Sequence, residues 1–181
     1  MFLDLDKKAP DAPAALDNLG FSLTYGDLVT FADEFYEKVT KRTLVCILCE
    51  NCAGALAGYV ACLSKRIVPL MLGNGMDHRL LDGLIGEYRP AYLWVPESAA
   101  GEFDYPRVFE KYGYALLATR LEPGALYDGL SLLLTTSGST GSPKLVRHSY
   151  ENVESVARSV ASVFGMDENE RGMVSLPLQF T

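Results

Sequence analysis

The chain has 181 residues, 49% of them hydrophobic and 22% charged, enough length and apolar content for a folded core and not the composition of a tail, a linker or a disordered segment. Sixteen Lys and Arg against 23 Asp and Glu leave a net charge of -7, which argues against nucleic acid or an anionic membrane surface as a partner. Residues 1–10 lack a basic region followed by an apolar run, and the longest nearly apolar stretch, residues 53–63, falls far short of the roughly 20 residues that span a bilayer, so no membrane span and a soluble, cytoplasmic protein are expected.

Segments 13–17 and 21–23, on either side of Asn18, Leu19 and Gly20, predict a short hairpin. Thr24 followed three residues later by Asp27 resembles a capping pair, and Leu28, Phe31, Ala32, Phe35 and Val39 recur at helical spacing, predicting a helix over 25–39. The chain then alternates: strands over 44–49, 67–71 and 91–95 are separated by helices over 53–64 and 79–88, the second capped by Asp77 and ended by Arg89-Pro90. Alternation at this spacing predicts an α/β fold, a mostly parallel sheet with flanking helices. Residues 96–129 read as loops and a short helix around one strand, 114–118, while Trp94 and Tyr92 read as core. A strand over 131–136 and a returning strand over 144–147 form a hairpin. Ser149 then caps a helix carrying Val153, Val156, Val160 and Val163; the acidic run 167–170 is a solvated turn, and a last strand is expected over 174–178. The chain stops inside the sequel of that strand without a polar tail or closing helix, which suggests a truncated piece.

Cys46, Cys49 and Cys52 spell C-x-x-C-x-x-C, on paper part of a zinc or iron-sulfur ligand set. Residues three apart on a strand face opposite ways, so Cys46 and Cys49 should not reach one metal. Cys62, His78 and His148 are scattered and complete no set, so no metal ligand is assigned and the cysteines are read as small buried hydrophobes.

Between the two hairpin strands lies TTSGSTGSPK, residues 135–144. Gly138 and Gly141 let successive backbone N–H groups turn towards an anion, Thr136, Ser137, Ser139, Thr140 and Ser142 offer hydroxyls, and Lys144 supplies a positive charge. Composition alone fits a flexible surface loop as well as a phosphate grip. A Walker A loop counted from Gly138 needs Gly at 143 and Ser or Thr at 145, where Pro143 and Leu145 stand. The dinucleotide fingerprint G-x-G-x-x-G and the nucleophile elbow G-x-S-x-G also fail.

The segment closely resembles the phosphate loop of the adenylate-forming ligases, the superfamily of acyl-CoA synthetases, luciferases and nonribosomal peptide synthetase adenylation domains. Leu23-Thr24-Tyr25-Gly26-Asp27-Leu28, Glu50-Asn51, Ala61-Cys62-Leu63, Val68-Pro69-Leu70, His148 with Asn152, and Leu176-Pro177-Leu178 resemble further family elements in order. The resemblance implies that residues 1–181 are the first part of the large N-terminal domain of an adenylate-forming enzyme, which converts a carboxylic acid and ATP to an acyl-adenylate and passes the acyl group to CoA or a carrier-protein thiol. It makes Thr136, Ser137, Gly138, Ser139, Thr140, Gly141 and Lys144 the ATP phosphate contacts, with Lys144 as the catalytic cation. The elements holding adenine, ribose, Mg2+ and a mobile lysine are implied beyond Thr181, so the piece alone is expected to be inactive. His148 is read as a hydrogen-bonded junction residue rather than a substrate contact. Two departures stand out: Lys65-Arg66 replaces Ala-Gly at a surface turn, and Gln179 and Phe180 stand where many acyl-CoA synthetases carry an aromatic residue and then His, so the acid is not legible. A non-enzymatic nucleotide- or phosphate-binding module is the alternative.

Overall fold

The computed structural model describes residues 2–135, 144–167 and 169–180. Strands β1 (Pro13–Leu16) and β2 (Ser22–Thr24) pair antiparallel as a separate ribbon leading into helix α1 (Tyr25–Val39). The cap expected at Thr24 forms in full: its hydroxyl accepts from the Asp27 N–H at 3.1 Å, and the Asp27 carboxylate accepts from the Thr24 N–H at 2.8 Å.

Beyond α1 the chain runs through β3 (Leu44–Cys49), α2 (Ala53–Ser64), β4 (Val68–Gly73), α3 (His78–Tyr88) and β5 (Tyr92–Pro96), as the alternation predicts. A short helix α4 (Glu97–Ala100) and strands β6 (Arg107–Lys111), β7 (Tyr114–Ala118), β8 (Leu130–Thr135) and β9 (Leu145–Ser149) follow, then helix α5 (Tyr150–Phe164). Seven strands form one sheet in the order β6-β7-β5-β3-β4-β8-β9. The β3/β4, β3/β5 and β4/β8 pairs are parallel, and the three outer pairs are antiparallel.

Every residue of β3 is buried. Leu44, Cys46 and Leu48 pack towards Leu81, Leu84 and Ile85 of α3; Val45, Ile47 and Cys49 pack towards α1 and α2. Cys46 and Cys49 thus lie in different layers, as period-2 geometry requires. Burial pushes both thiols up, that of Cys49 to about 12, so both stay protonated at neutral pH.

On the α1/α2 side, Trp94 is enclosed by Phe31, Phe35, Phe109 and Tyr114, and its indole N–H donates to the Gly54 carbonyl at 2.9 Å. Gly58 packs directly on the same ring, where any Cβ would collide with it. The close seating of α2 on the sheet depends on that missing side chain.

Two segments differ from expectation. β6 lies in a stretch read as loop, because an edge strand rich in charge carries no apolar alternation. Residues 174–178 do not form a strand; the chain there is irregular and ends in a 3-10 turn, Leu178–Phe180. That turn packs on β4 and β8, and both edges of β8 are already taken by β4 and β9, so the segment cannot pair there.

Hydrogen bonds from the Thr24 backbone N–H and hydroxyl hold the Asp27 carboxyl below the usual carboxylate range. A depressed native value means the stabilisation is complete above the unfolded value of about 3.9 and is lost as pH falls through the native one. Asp27→Asn is expected to cost about 0.5 kcal/mol at neutral pH, with the difference from the parent shrinking under acid, measured by urea unfolding across pH.

Candidate functional site at the carboxyl ends of the strands

β3 feeds α2 on one face of the sheet and its neighbour β4 feeds α3 on the other. Their following loops part to opposite sides and leave a crevice at the carboxyl ends, the place where open α/β sheets hold ligands. β8 pairs parallel with β4 through Leu70↔Leu133 and Met71↔Leu134, so Thr135 leaves the sheet at this same edge.

The β8/β9 hairpin carries the motif to that edge. Its register runs from Leu130↔Ser149 to Thr135↔Leu145, so the two strands expected around the motif pair as proposed and both its ends are positioned at the crevice. Thr136, Ser137, Gly138, Ser139, Thr140 and Gly141 lie outside the described residues. Lys144 is described and exposed, one residue before β9. His148 lies in β9 opposite Leu132, its carbonyl accepting from the Ser131 hydroxyl at 2.9 Å, which suits the junction role. Ser149 caps α5 by accepting from the Asn152 N–H at 3.1 Å, so the helix starts directly behind the hairpin.

The crevice floor is laced by groups that periodicity does not single out. The Asn74 amide donates to the Glu50 carboxylate at 2.9 Å, and the Asn74 N–H donates to the Cys49 carbonyl at 3.2 Å, joining the ends of β3 and β4. On the other side of β3, pairing with β5 stops at Ile47↔Trp94. There the buried Tyr114 hydroxyl substitutes for a strand: it donates to the Leu48 carbonyl at 3.0 Å and accepts from the Glu50 N–H at 3.1 Å. Burial pushes that hydroxyl far above the ordinary phenol value, so it stays protonated and able to donate.

The Asp17 carboxylate covers the start of α2, accepting from the Ala53 N–H at 2.9 Å and from the Leu19 and Phe21 N–H groups. Burial opposes its charge, but these backbone donors outweigh burial and lower its pKa. A cleft of about 450 Å³ opens on the α3 side of the crevice between Leu48, Asn74, Met76 and Ser98, with His78 and Glu102 3.9 Å apart at its rim. In the sequence Glu50 and Asn51 stand out only through the family resemblance. Of their partners, Leu178 likewise enters only through that resemblance and Tyr114 only as the start of a strand, while Asn74 carries no local signal.

The sequence profile of the AMP-binding enzyme family matches residues 4–181. The chain belongs to that family. It is 26% identical over 184 residues to the 2-succinylbenzoate–CoA ligase of Oceanobacillus iheyensis, a match covering 94% of this chain and 38% of that protein. Among solved structures it resembles o-succinylbenzoate CoA synthetase from Bacillus subtilis in complex with the acyl-adenylate intermediate OSB-AMP, with a TM-score of 0.74 at 20% identity over 98% of this chain and 49% of that one. The same enzyme in complex with ATP and magnesium ion gives a TM-score of 0.72 at 18% identity, over 98% and 50%. This chain thus spans half or less of the length of these relatives, and the structural likeness establishes the fold. Among the described residues no helix is long and apolar enough to cross a membrane.

Tyr114→Phe is expected to destabilise the fold by about 1–3 kcal/mol, because it strands the Leu48 carbonyl and the Glu50 N–H in the interior. Chemical denaturation would measure the loss; a cost below the effect of an ordinary surface substitution would show that the hydroxyl does not close this gap in the sheet.

Proposed function

We propose that residues 1–181 are the N-terminal portion of an AMP-binding domain that activates a carboxylic acid with ATP and passes the acyl group to a thiol of CoA or a carrier protein. The observation that carries this reading is the sequence of residues 135–144, whose two flanks leave and re-enter the sheet at its ligand-binding edge. The complexes of the Bacillus subtilis enzyme with ATP, magnesium ion and an acyl-adenylate support the same chemistry for a relative.

In this reaction a carboxylate oxygen attacks the α-phosphorus of ATP and the bond to the β-phosphate oxygen breaks, releasing pyrophosphate. A thiol sulfur then forms a bond to the acyl carbon, AMP leaves, and the thiol proton passes to solvent. Thr136, Ser137, Gly138, Ser139, Thr140 and Gly141 supply hydroxyl and amide donors to the phosphates, and Lys144 neutralises charge on the departing pyrophosphate. Mg2+ supplies charge neutralisation at the phosphates when bound. Its protein ligands are assigned, on the family resemblance, to residues outside this piece. No protein nucleophile is required, and the small number of histidines is consistent with that.

The domain assignment has a second support in burial. α1, α2 and α3 each bury an apolar side, whereas α5 buries no residue and leaves Val163 and Phe164 79% and 73% exposed. A helix with one apolar side ordinarily turns it to a core. That surface is assigned to contact with the remainder of the domain.

Pyrophosphate exchange into ATP by the full-length protein should depend on a cognate acid, with 2-succinylbenzoate the first to try in a panel. Lys144→Ala should lower kcat/KM by about 10²–10³-fold while the circular dichroism spectrum is retained. Exchange that ignores the acid, or none across the panel, would sink the ligase reading. Residues 1–181 alone should release no pyrophosphate, because a phosphate grip without the rest of its site cannot align acid and nucleotide. Turnover by that piece would overturn the domain assignment.

A further inference from the structure

The loop after β3 grips a segment more than 120 residues away. Asn51 uses its whole side-chain amide on residues 174–178: its Nδ2 donates to the Leu176 carbonyl at 3.0 Å and to the Val174 carbonyl at 3.4 Å, and its Oδ1 accepts from the Leu178 N–H at 2.9 Å. Residues 172–176 are otherwise exposed and in no regular element. Leu178, 5% exposed, anchors the far end of this strap in the α1/α2-side core. Gly73, the last residue of β4, completes the seat: a Cβ there would stand 2.9 Å from the Gln179 side-chain nitrogen, so the Gln179 amide occupies the space a side chain would fill. The 3-10 turn bearing Gln179 packs on both β4 and β8, the strand that leads into residues 135–144.

We propose that Asn51 is a positioning residue: it clamps the strap 174–180 across the carboxyl ends of β4 and β8 and so sets the wall of the crevice in which acid and ATP meet. The role in the reaction rests on the ligase reading above; the clamp itself does not. An amide is the side chain suited to this position, because it alone among residues of this length donates to carbonyls and accepts from an N–H at once. Asp in its place retains the acceptor for the Leu178 N–H and turns two donated bonds into carboxylate–carbonyl repulsion. Ala loses all three bonds. A Cβ at Gly73 displaces Gln179 without touching Asn51.

The test measures hydrogen exchange by mass spectrometry and acid-dependent pyrophosphate exchange on the full-length protein and its Asn51→Ala, Asn51→Asp and Gly73→Ala variants. Asn51→Ala should let the Leu178 N–H, the strap amide that Asn51 accepts from, exchange at least tenfold faster while the β3 peptide keeps its protection. Both Asn51 variants should lose at least tenfold in pyrophosphate exchange, whereas in Gly73→Ala the end of the Gln179 side chain swings aside and the strap stays protected. Unchanged protection of the strap in Asn51→Ala overturns the clamp. A freed strap with undiminished pyrophosphate exchange overturns the positioning role. A parent without acid-dependent pyrophosphate exchange overturns the ligase reading and the positioning role with it, and the hydrogen-exchange comparison still decides the clamp.

Discussion

The burial of β3 on both faces is the constraint on which the rest depends. Six consecutive apolar residues cannot face water on either side, so helices must cover both layers, and a strand so enclosed must satisfy its backbone by pairing along both edges. β4 and β5 take those edges, each reached through a helix on a different face. The parting of the loops after β3 and β4 is a direct consequence, and the crevice exists because of it. A site at this edge is inherited from the way the core closes.

The strand ends at that crevice are held by side chains where backbone pairing runs out. Tyr114 bridges the gap left when β5 diverges from β3, the Glu50–Asn74 bond joins β3 to β4, and Asp17 covers the start of α2. Tyr114 and Asp17 satisfy buried or half-buried backbone groups that would otherwise cost the fold, and the Glu50–Asn74 bond ties two side chains across the crevice floor. Under the proposed ligase reading such anchoring matters chemically, since adenylate formation depends on alignment and charge placement more than on a reactive side chain.

Burial is uneven along the chain. Trp94, Phe31, Phe35 and Tyr114 make one dense aromatic centre under α1 and α2, while the last quarter of the described chain, α5 and the strap, is mostly exposed. The strap has one deep anchor, Leu178, and one polar grip, Asn51. A segment held at so few points is sensitive to a single side chain in a way that β3 is not.

The sequence by itself determined what is local. Apolar period, caps and turn residues placed α1, α2, α3, α5 and the inner strands, because those signals lie within one element. It also determined the chemistry available at residues 135–144, because hydroxyls, glycines and a lysine are properties of the residues themselves. The opposition of Cys46 and Cys49 followed from strand geometry alone. Beyond the two hairpins, only the tertiary structure decided which strands are neighbours, that β6 is a strand, and that residues 174–178 are gripped by Asn51 instead of joining the sheet. The partners of Asn74, Tyr114 and Leu178 in the crevice lie 24, 64 and 127 positions away from them, and no window along the chain spans such distances. Those contacts are set by how the layers close around β3, which is a property of the packed whole.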